Sequence, residues 1–480
     1  MLLERKELGC LALLWSVLMA GNAFSQQVPV RPPSDSSSAA ADHSGTNYMQ
    51  AAQSGQTLGT LLQSVTGPQS SEVTTHIVSP TSDKANKSPS ARAAFLLEQI
   101  SPASVSVGDL QSYTNYRVVR PNVASSQYHT GGPTGTSPAR IRSAYKVPDN
   151  GGRGVIAIVD AFHYPNALAD LNHFSSQFGL PQVTACLSSN PFAGPPPCIK
   201  IEAASAAIDC GWNGEAALDL EWAHSIAPSA NLLYVEATSS RNADLYAAVA
   251  RARDEVMALH GQLSMSWGTP AESTAMSVYR STFSDGVVYF AATGDTGGQL
   301  GFPADFSNVI AVGGTELNWA SDGTLAGETG WPFSGGGVSR VEKPAPSYQQ
   351  GIVTDSAGRN TPDISAVSDA QPAVAVFIST PVTQCSDHPA PDQYTPGWTQ
   401  LVGTSLATPL LAAMVNVADH KRTSSAAELN AVYANRNDPT RIRDIVAMDG
   451  SAGGNVTQVG YDNVSGVGAP ASMEFDADPH

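Results

Sequence analysis

Three short segments of the chain hold side chains that could do chemistry on one another. In Gly403-Thr404-Ser405-Leu406-Ala407-Thr408-Pro409 a serine opens an apolar run that reads as a helix. A hydroxyl in that place points out of a helix N-terminus, where unpaired backbone N–H groups can hold a developing oxyanion. The plainer role for such a serine is an N-cap. As a nucleophile it needs a base to take its proton. The run from Gly214 to His224 (GEAALDLEWAH) offers one, because Glu215 and Asp219 stand four apart and share a face of the helix that the run predicts. The surrounding Ala, Leu and Trp suggest a partly buried setting. Carboxyls held close can share a proton, which leaves one of them usable as a base in acid. The alternative is an acidic, solvated helix face. His224 is a rival base, but it lies outside the pairing and reads as structural. The third segment, Gly294-Asp295-Thr296-Gly297, follows the strand-like VVYFAAT. Asp295 there is either a turn residue or a donor to an oxyanion, and it could donate only while protonated.

These residues need a scaffold, and the pattern supplies one. Short apolar runs at Gly154–Asp160, Asn231–Glu236, Leu263–Trp267, Val287–Ala292 and Val309–Val312 read as strands buried on both faces. Helical spacing between them covers Asn166–Phe178, Gly214–Ile226, Ala243–His260 and Thr274–Phe283, and a last helix runs from Ser405 towards Asp419. Strands alternating with helices predict an α/β fold with a mostly parallel central sheet covered on both faces. A polar residue at the end of such a strand, as Asp295 is, faces the edge where these sheets bind ligands.

Composition narrows the function. The 480 residues hold 25 Lys and Arg against 42 Asp and Glu, a net charge of −17, with no basic run. Bulk attraction to nucleic acid or an anionic membrane is excluded on that ground. No apolar run approaches the ~20 residues of a membrane span. Residues 1–25, with Arg5 and Lys6 before LALLWSVLMA and then Ala23-Phe24-Ser25, read as a secretory signal peptide, so a secreted protein is expected. Of the five cysteines Cys10 would leave with it. The remaining four allow three pairings. Cys186 and Cys198 bracket a proline-rich loop and are the natural local pair, which leaves Cys210 with Cys385. No cysteine or histidine cluster has zinc spacing. Residues 26–132 are rich in Ser, Thr, Gln and Ala and read as a short, largely disordered pro-segment or linker, with a short helix and strand expected within 93–125. Residues 133–477 read as the main domain.

The three segments, with others in the same order, resemble the sedolisins, the serine-carboxyl peptidases. The resemblance runs from about Pro138 to about Glu474 and includes SPARIRSAYKVP, GRGVIAIVDA, DLNHFSSQFGLP and GEAALDLEWAHSIAPSANLLYVEA. It continues through SMSWGTPAE, AATGDTGG, FPADFSNVIAVGGTEL, SGGGVS, TPDISAVSD and GTSLATP. GTSLATP is also similar to the nucleophile segment of subtilisin-like peptidases, but none of the ten histidines lies in an H-G-T-H segment, so an imidazole base of that kind is missing. The resemblance implies a subtilisin-like three-layer sandwich. It implies Glu215 as general base, Asp219 as its proton-sharing partner, Ser405 as nucleophile and Asp295 as oxyanion acid. It further implies one structural calcium ion within 444–462, held by the carboxylates of Asp444 and Asp462 and the carbonyls of Ile445, Gln458 and Gly460, a donor set of hard oxygens. Gln458 stands where the family usually has Gly, and the family's pro-domain is generally longer and folded. The function implied is a secreted, monomeric, acid-acting endopeptidase that takes protein or peptide substrates. A tripeptidyl-type exopeptidase and an inactive peptide-binding relative are the alternatives.

Overall fold

The computed structural model describes residues 27–29, 106–120 and 132–478, except 134, 188–191, 205, 271, 354, 388, 390–393 and 395. The signal-peptide expectation and most of the pro-segment lie outside the described residues.

The central sheet has nine strands, β1 (Val155–Ala161), β2 (Thr184–Ala185), β3 (Cys198–Glu202), β4 (Asn231–Ala237), β5 (Gln262–Met265), β6 (Val288–Ala292), β7 (Ile310–Trp319), β8 (Leu325–Gly330) and β9 (Ile364–Ala370). Their order is β8-β7-β6-β5-β1-β4-β3-β2, and β9 also pairs with β7. Only the β7–β8 hairpin is antiparallel. The sheet is therefore mostly parallel, as the sequence pattern predicts.

Side chains of β1 alternate between two cores. Ile156 and Ile158 pack into one hydrophobic cluster, and Val155, Ala157, Val159 and Ala161 into the other. A strand buried on both faces reads as an unbroken apolar run for this reason. The first core is covered by helices α1 (Pro138–Tyr145), α2 (Ala167–Phe178), α3 (Cys210–Ile226), α5 (Thr404–Ala418) and α6 (Ser425–Asn435), the second by α4 (Asn242–Val256). These are the three layers.

The helix ends follow local chemistry. Gly179, at φ 68°, closes α2, and the Asp209 side chain caps α3 by accepting from the Trp212 N–H. Asp419 in the left-handed region ends α5. The segment Thr274–Thr282, which the sequence predicts as a helix, is a 3-10 helix instead. The strand predicted at Val309–Val312 continues to Trp319, because its more polar second half is paired with β8 on one side and, as far as Leu317, with β9 on the other.

A smaller four-stranded sheet joins residues 27–29, 117–120, 397–402 and 374–378 in that order. Residues 106–120, counted with the pro-segment in the sequence, thus pack against the main body. Cys186 is bonded to Cys198 and Cys210 to Cys385, with Cα atoms 5.0 and 5.4 Å apart. Among the described residues no helix is long and apolar enough to cross a membrane.

Candidate active site

Helix α3 is buried on every side, and the side chains of Glu215, Asp219, Glu221 and His224 are all at 0% exposure. This rules out a solvated acidic face. The four differ in how they are satisfied. Glu221 accepts from the Phe377 N–H (3.1 Å), and His224 Nε2 meets the Pro181 carbonyl (2.9 Å), so both have structural partners. Asp219 has no hydrogen-bond partner on either oxygen, and Glu215 has one on Oε2 alone. Buried carboxyls without partners resist ionisation. Glu215 is pushed well above the usual carboxylate range, chiefly by burial and then by the charge of Asp160, against weaker opposition from Ser405 and the Asn115 N–H. Burial, Asp160 and then Glu215 do the same to Asp219.

Ser405 is the second residue of α5, and its hydroxyl does not cap the helix. That task falls to Asp295, whose Oδ1 accepts from the Thr404 N–H at 2.8 Å and the Thr404 hydroxyl at 2.9 Å. Asp295 Oδ2 is buried without a partner. Burial pushes the Asp295 carboxyl up to about 7 even though Arg117 and Thr404 pull it down. Below that pH it carries a proton and one free O–H.

The hydroxyl of Ser405 donates to the Ser266 carbonyl (3.0 Å). A single N–H, that of Asn115, reaches both Glu215 Oε2 (3.0 Å) and Ser405 Oγ (3.2 Å). The carboxyl on α3 and the hydroxyl on α5 therefore face one point on the same side of the sheet. The Ser405 N–H, an orphan donor of the helix N-terminus, instead donates to the Asn115 carbonyl (3.0 Å). Gly403, at φ 147°, has no room for a side chain. A Cβ there would lie 2.6 Å from Asp295 Oδ2 and would meet the Asn115 carbonyl oxygen.

Three residues that sequence reasoning did not single out belong to this site. Asp160 ends β1, is fully buried and has no partner on either oxygen. Burial, then the charge of Glu236, raises it to about 8. Its position after GVIAIV, at the carboxyl end of a central strand, is a signal that could have found it. Ser266 repairs a fault in α5. Pro409 has no N–H to offer the Ser405 carbonyl four residues earlier, and the Ser266 hydroxyl donates to that carbonyl at 3.2 Å. Asn115 carries no sequence signal.

In the implied calcium segment the two carboxylates each meet the backbone of one turn. Asp444 Oδ2 accepts from the Gly460 N–H (2.9 Å), and Asp462 Oδ2 from the Gln458 N–H (3.1 Å), so both carboxylates close on the 458–460 turn. Asp444 Oδ1 is buried without a partner, which suits an oxygen directed at a cation. Ile445 is fully buried beside it in sequence, and Asp462 Oδ1 is engaged by the Val464 and Ser465 N–H groups. Of the four carboxylate oxygens, Asp444 Oδ1 is the one left open to a hard cation.

Fold and site together define a serine-type peptidase of subtilisin-like architecture. The subtilase family model matches residues 205–450, half of the sequence, and the chain belongs to that family. It is sedolisin-like within it. Among solved structures it is similar to the Pseudomonas sedolisin, a serine-carboxyl proteinase complexed with two molecules of pseudo-iodotyrostatin. That match has 20% identity and a TM-score of 0.53, and covers 72% of this chain and 98% of that one. A psychrophilic protease, S41, matches at 19% identity and a TM-score of 0.43 over 71% of this chain and 99% of that one. No curated protein sequence matches significantly.

Proposed function

We propose that this subtilase is a secreted, acid-acting serine-carboxyl endopeptidase. Glu215 takes the proton of Ser405 as its Oγ attacks the scissile carbonyl, and an acyl-enzyme forms. The Ser405 N–H and the protonated Asp295 Oδ2 hold the oxyanion. Asp219 and Asp160 share the proton with Glu215, because three buried carboxyls that raise one another cannot all ionise together. Water then releases the acyl group with Glu215 again as base.

The observation that carries this reading is the single N–H of Asn115 reaching both Glu215 Oε2 and Ser405 Oγ. It supports a carboxyl as the base for the hydroxyl in the first turn of α5. Asp444, Asp462 and the Ile445, Gln458 and Gly460 carbonyls would hold a calcium ion, which would supply only rigidity to the 444–462 segment. The two disulfides fit an oxidising, extracellular setting.

The test is a pH–rate profile on unfolded casein with wild type and Ser405→Ala. Activity is expected to peak below about pH 5 and to fade towards neutrality as Asp295 loses its proton. It is expected to vanish in Ser405→Ala. A Ser405-dependent optimum near neutrality contradicts the carboxyl mechanism, and a Ser405→Ala protein of full activity contradicts the site.

A further inference from the structure

Three carboxyls that share one negative charge leave open which of them carries it, and the strand beside Asp160 bears on that choice. Strands β1 and β4 run parallel, with Asp160 opposite Glu236 and Ile158 opposite Tyr234. Ile158 and Tyr234 both pack into the core that α3 covers, so by strand alternation Asp160 and Glu236 point to that same side. Both are fully buried, but their partners differ. Glu236 Oε1 accepts from the Tyr164 N–H (3.0 Å), and Oε2 from the Ala204 N–H (2.7 Å) and from His163 Nδ1 (2.9 Å). Three donors on one buried group are the surroundings of a carboxylate. Asp160 meets no donor on either oxygen, which are the surroundings of a carboxylic acid.

The other groups near the pair keep this contrast. Glu215 and Asp219 face Asp160 from α3, and β5 carries no ionisable side chain. The Tyr234 hydroxyl is buried without a partner, within reach of the charges of Asp160, Glu236 and Asp219. Lys200 and Glu202 are in register with Leu233 and Val235 and so belong to the opposite face of the sheet. Arg251 reaches the Glu236 carbonyl (3.1 Å) and the Glu202 carboxylate (3.7 Å). His163, the cation beside the Glu236 carboxyl in acid, lies at the rim with its side chain 32% exposed, where water weakens its pull. Of the three site carboxyls, Asp160 is the one that Glu236 raises.

We propose that Glu236 is a positioning residue for the peptidase reaction, whose negative charge keeps a proton on Asp160 and so directs the single charge of the Glu215–Asp219–Asp160 set to Glu215. This rests on the serine-carboxyl reading above. Between the remaining two, Glu215 has the Asn115 N–H on Oε2 and Asp219 has no donor, which favours the charge on Glu215. Without the Glu236 charge, states with Asp160 ionised compete with those in which Glu215 is the base. The weight of the Glu215 state against the fully protonated enzyme is unchanged, so the rate deep on the acid limb stays the same. The plateau becomes lower and is reached at lower pH. Both changes have one cause, so each tenfold loss of plateau goes with a limb midpoint about one pH unit lower.

The experiment measures kcat/KM on casein across the acid limb for wild type, Glu236→Gln, Asp160→Asn and the double variant, each checked for an unchanged thermal melt. Glu236→Gln is expected to lower the plateau by about tenfold and the limb midpoint by about one pH unit, with rates far below the limb equal to those of wild type. In the Asp160→Asn chain no carboxyl competes from that position, and adding Glu236→Gln is expected to move neither plateau nor limb. A loss of equal size at every pH, or one that persists in the Asp160→Asn background, overturns the proposal and leaves the peptidase reading standing. Should Glu236→Gln not fold, the infrared spectrum of the folded Ser405→Ala chain decides. The protonated-carboxyl band that Asp160→Asn removes is expected to be present at about pH 6, and its absence overturns the proposal. A folded wild type that leaves casein whole overturns the peptidase reading, and this proposal with it.

Discussion

Asp160 turns the burial of the site into a measurable pH dependence of stability. Its folded-state value is raised from 3.8 to about 8, with both oxygens buried and unpartnered. The unfolded chain releases this proton near pH 4 and the folded chain holds it until about 8, so the group favours folding in acid. That contribution is whole below the unfolded value and is lost as pH rises through the folded one. Integrating the two titrations from about pH 4.5 to about 7.5 gives a loss on the order of 4 kcal/mol from Asp160 alone. Asp295, raised to about 7, and Asp369, raised to about 8, act in the same direction. Urea unfolding of the Ser405→Ala chain, which cannot digest itself, followed by tryptophan fluorescence across that interval, measures the total. Asp160→Asn replaces the carboxyl with a neutral group of the same shape and is expected to flatten the slope by its share, with the two chains closest in acid and the Asn chain gaining on the parent towards neutrality. A parent chain equally stable at both ends, or an Asp160→Asn chain whose slope matches the parent within about 1 kcal/mol, refutes the reasoning.

Other outcomes follow from the same geometry. Glu215→Gln keeps the acceptor for the Asn115 N–H but cannot take a proton, and kcat on casein is expected to fall by about 10²- to 10⁴-fold with little change in KM. Ser266→Ala leaves the Ser405 carbonyl opposite Pro409 without a donor inside the core, and a loss of about 1–3 kcal/mol in urea unfolding is expected. Chelation of calcium is expected to lower the melting temperature of wild type but not of Asp444→Ala, since a ligand held at 100 times its Kd stabilises by about 2.7 kcal/mol. An equal response of the two chains counts against the assigned ligands.

Much of the scaffold could be read from the chain because its strands are buried on both faces. A run such as GVIAIVD admits few other structures, and the helices between such runs end at the expected residues, with Gly179 after α2 and Asp419 after α5. The site was partly readable for a related reason. Ser405, Glu215, Asp219 and Asp295 all sit at positions that secondary structure fixes, a helix start, one helix face and a strand end. The 3-10 segment at Thr274–Thr282 escaped because helical spacing does not distinguish the two kinds of helix over so short a stretch.

What the sequence alone determined, then, is the class of fold, the family and the residues able to react. Tertiary structure decided their states. Whether Glu215 and Asp219 face water or the core depends on the helices packed around α3, and that burial, with Asp160 brought up from strand β1, raises them. It also decided what lies across the nucleophile. Asn115 stands 290 residues from Ser405 and is gripped through its backbone. Backbone groups are the same for every residue, so no reading of side-chain types could single it out.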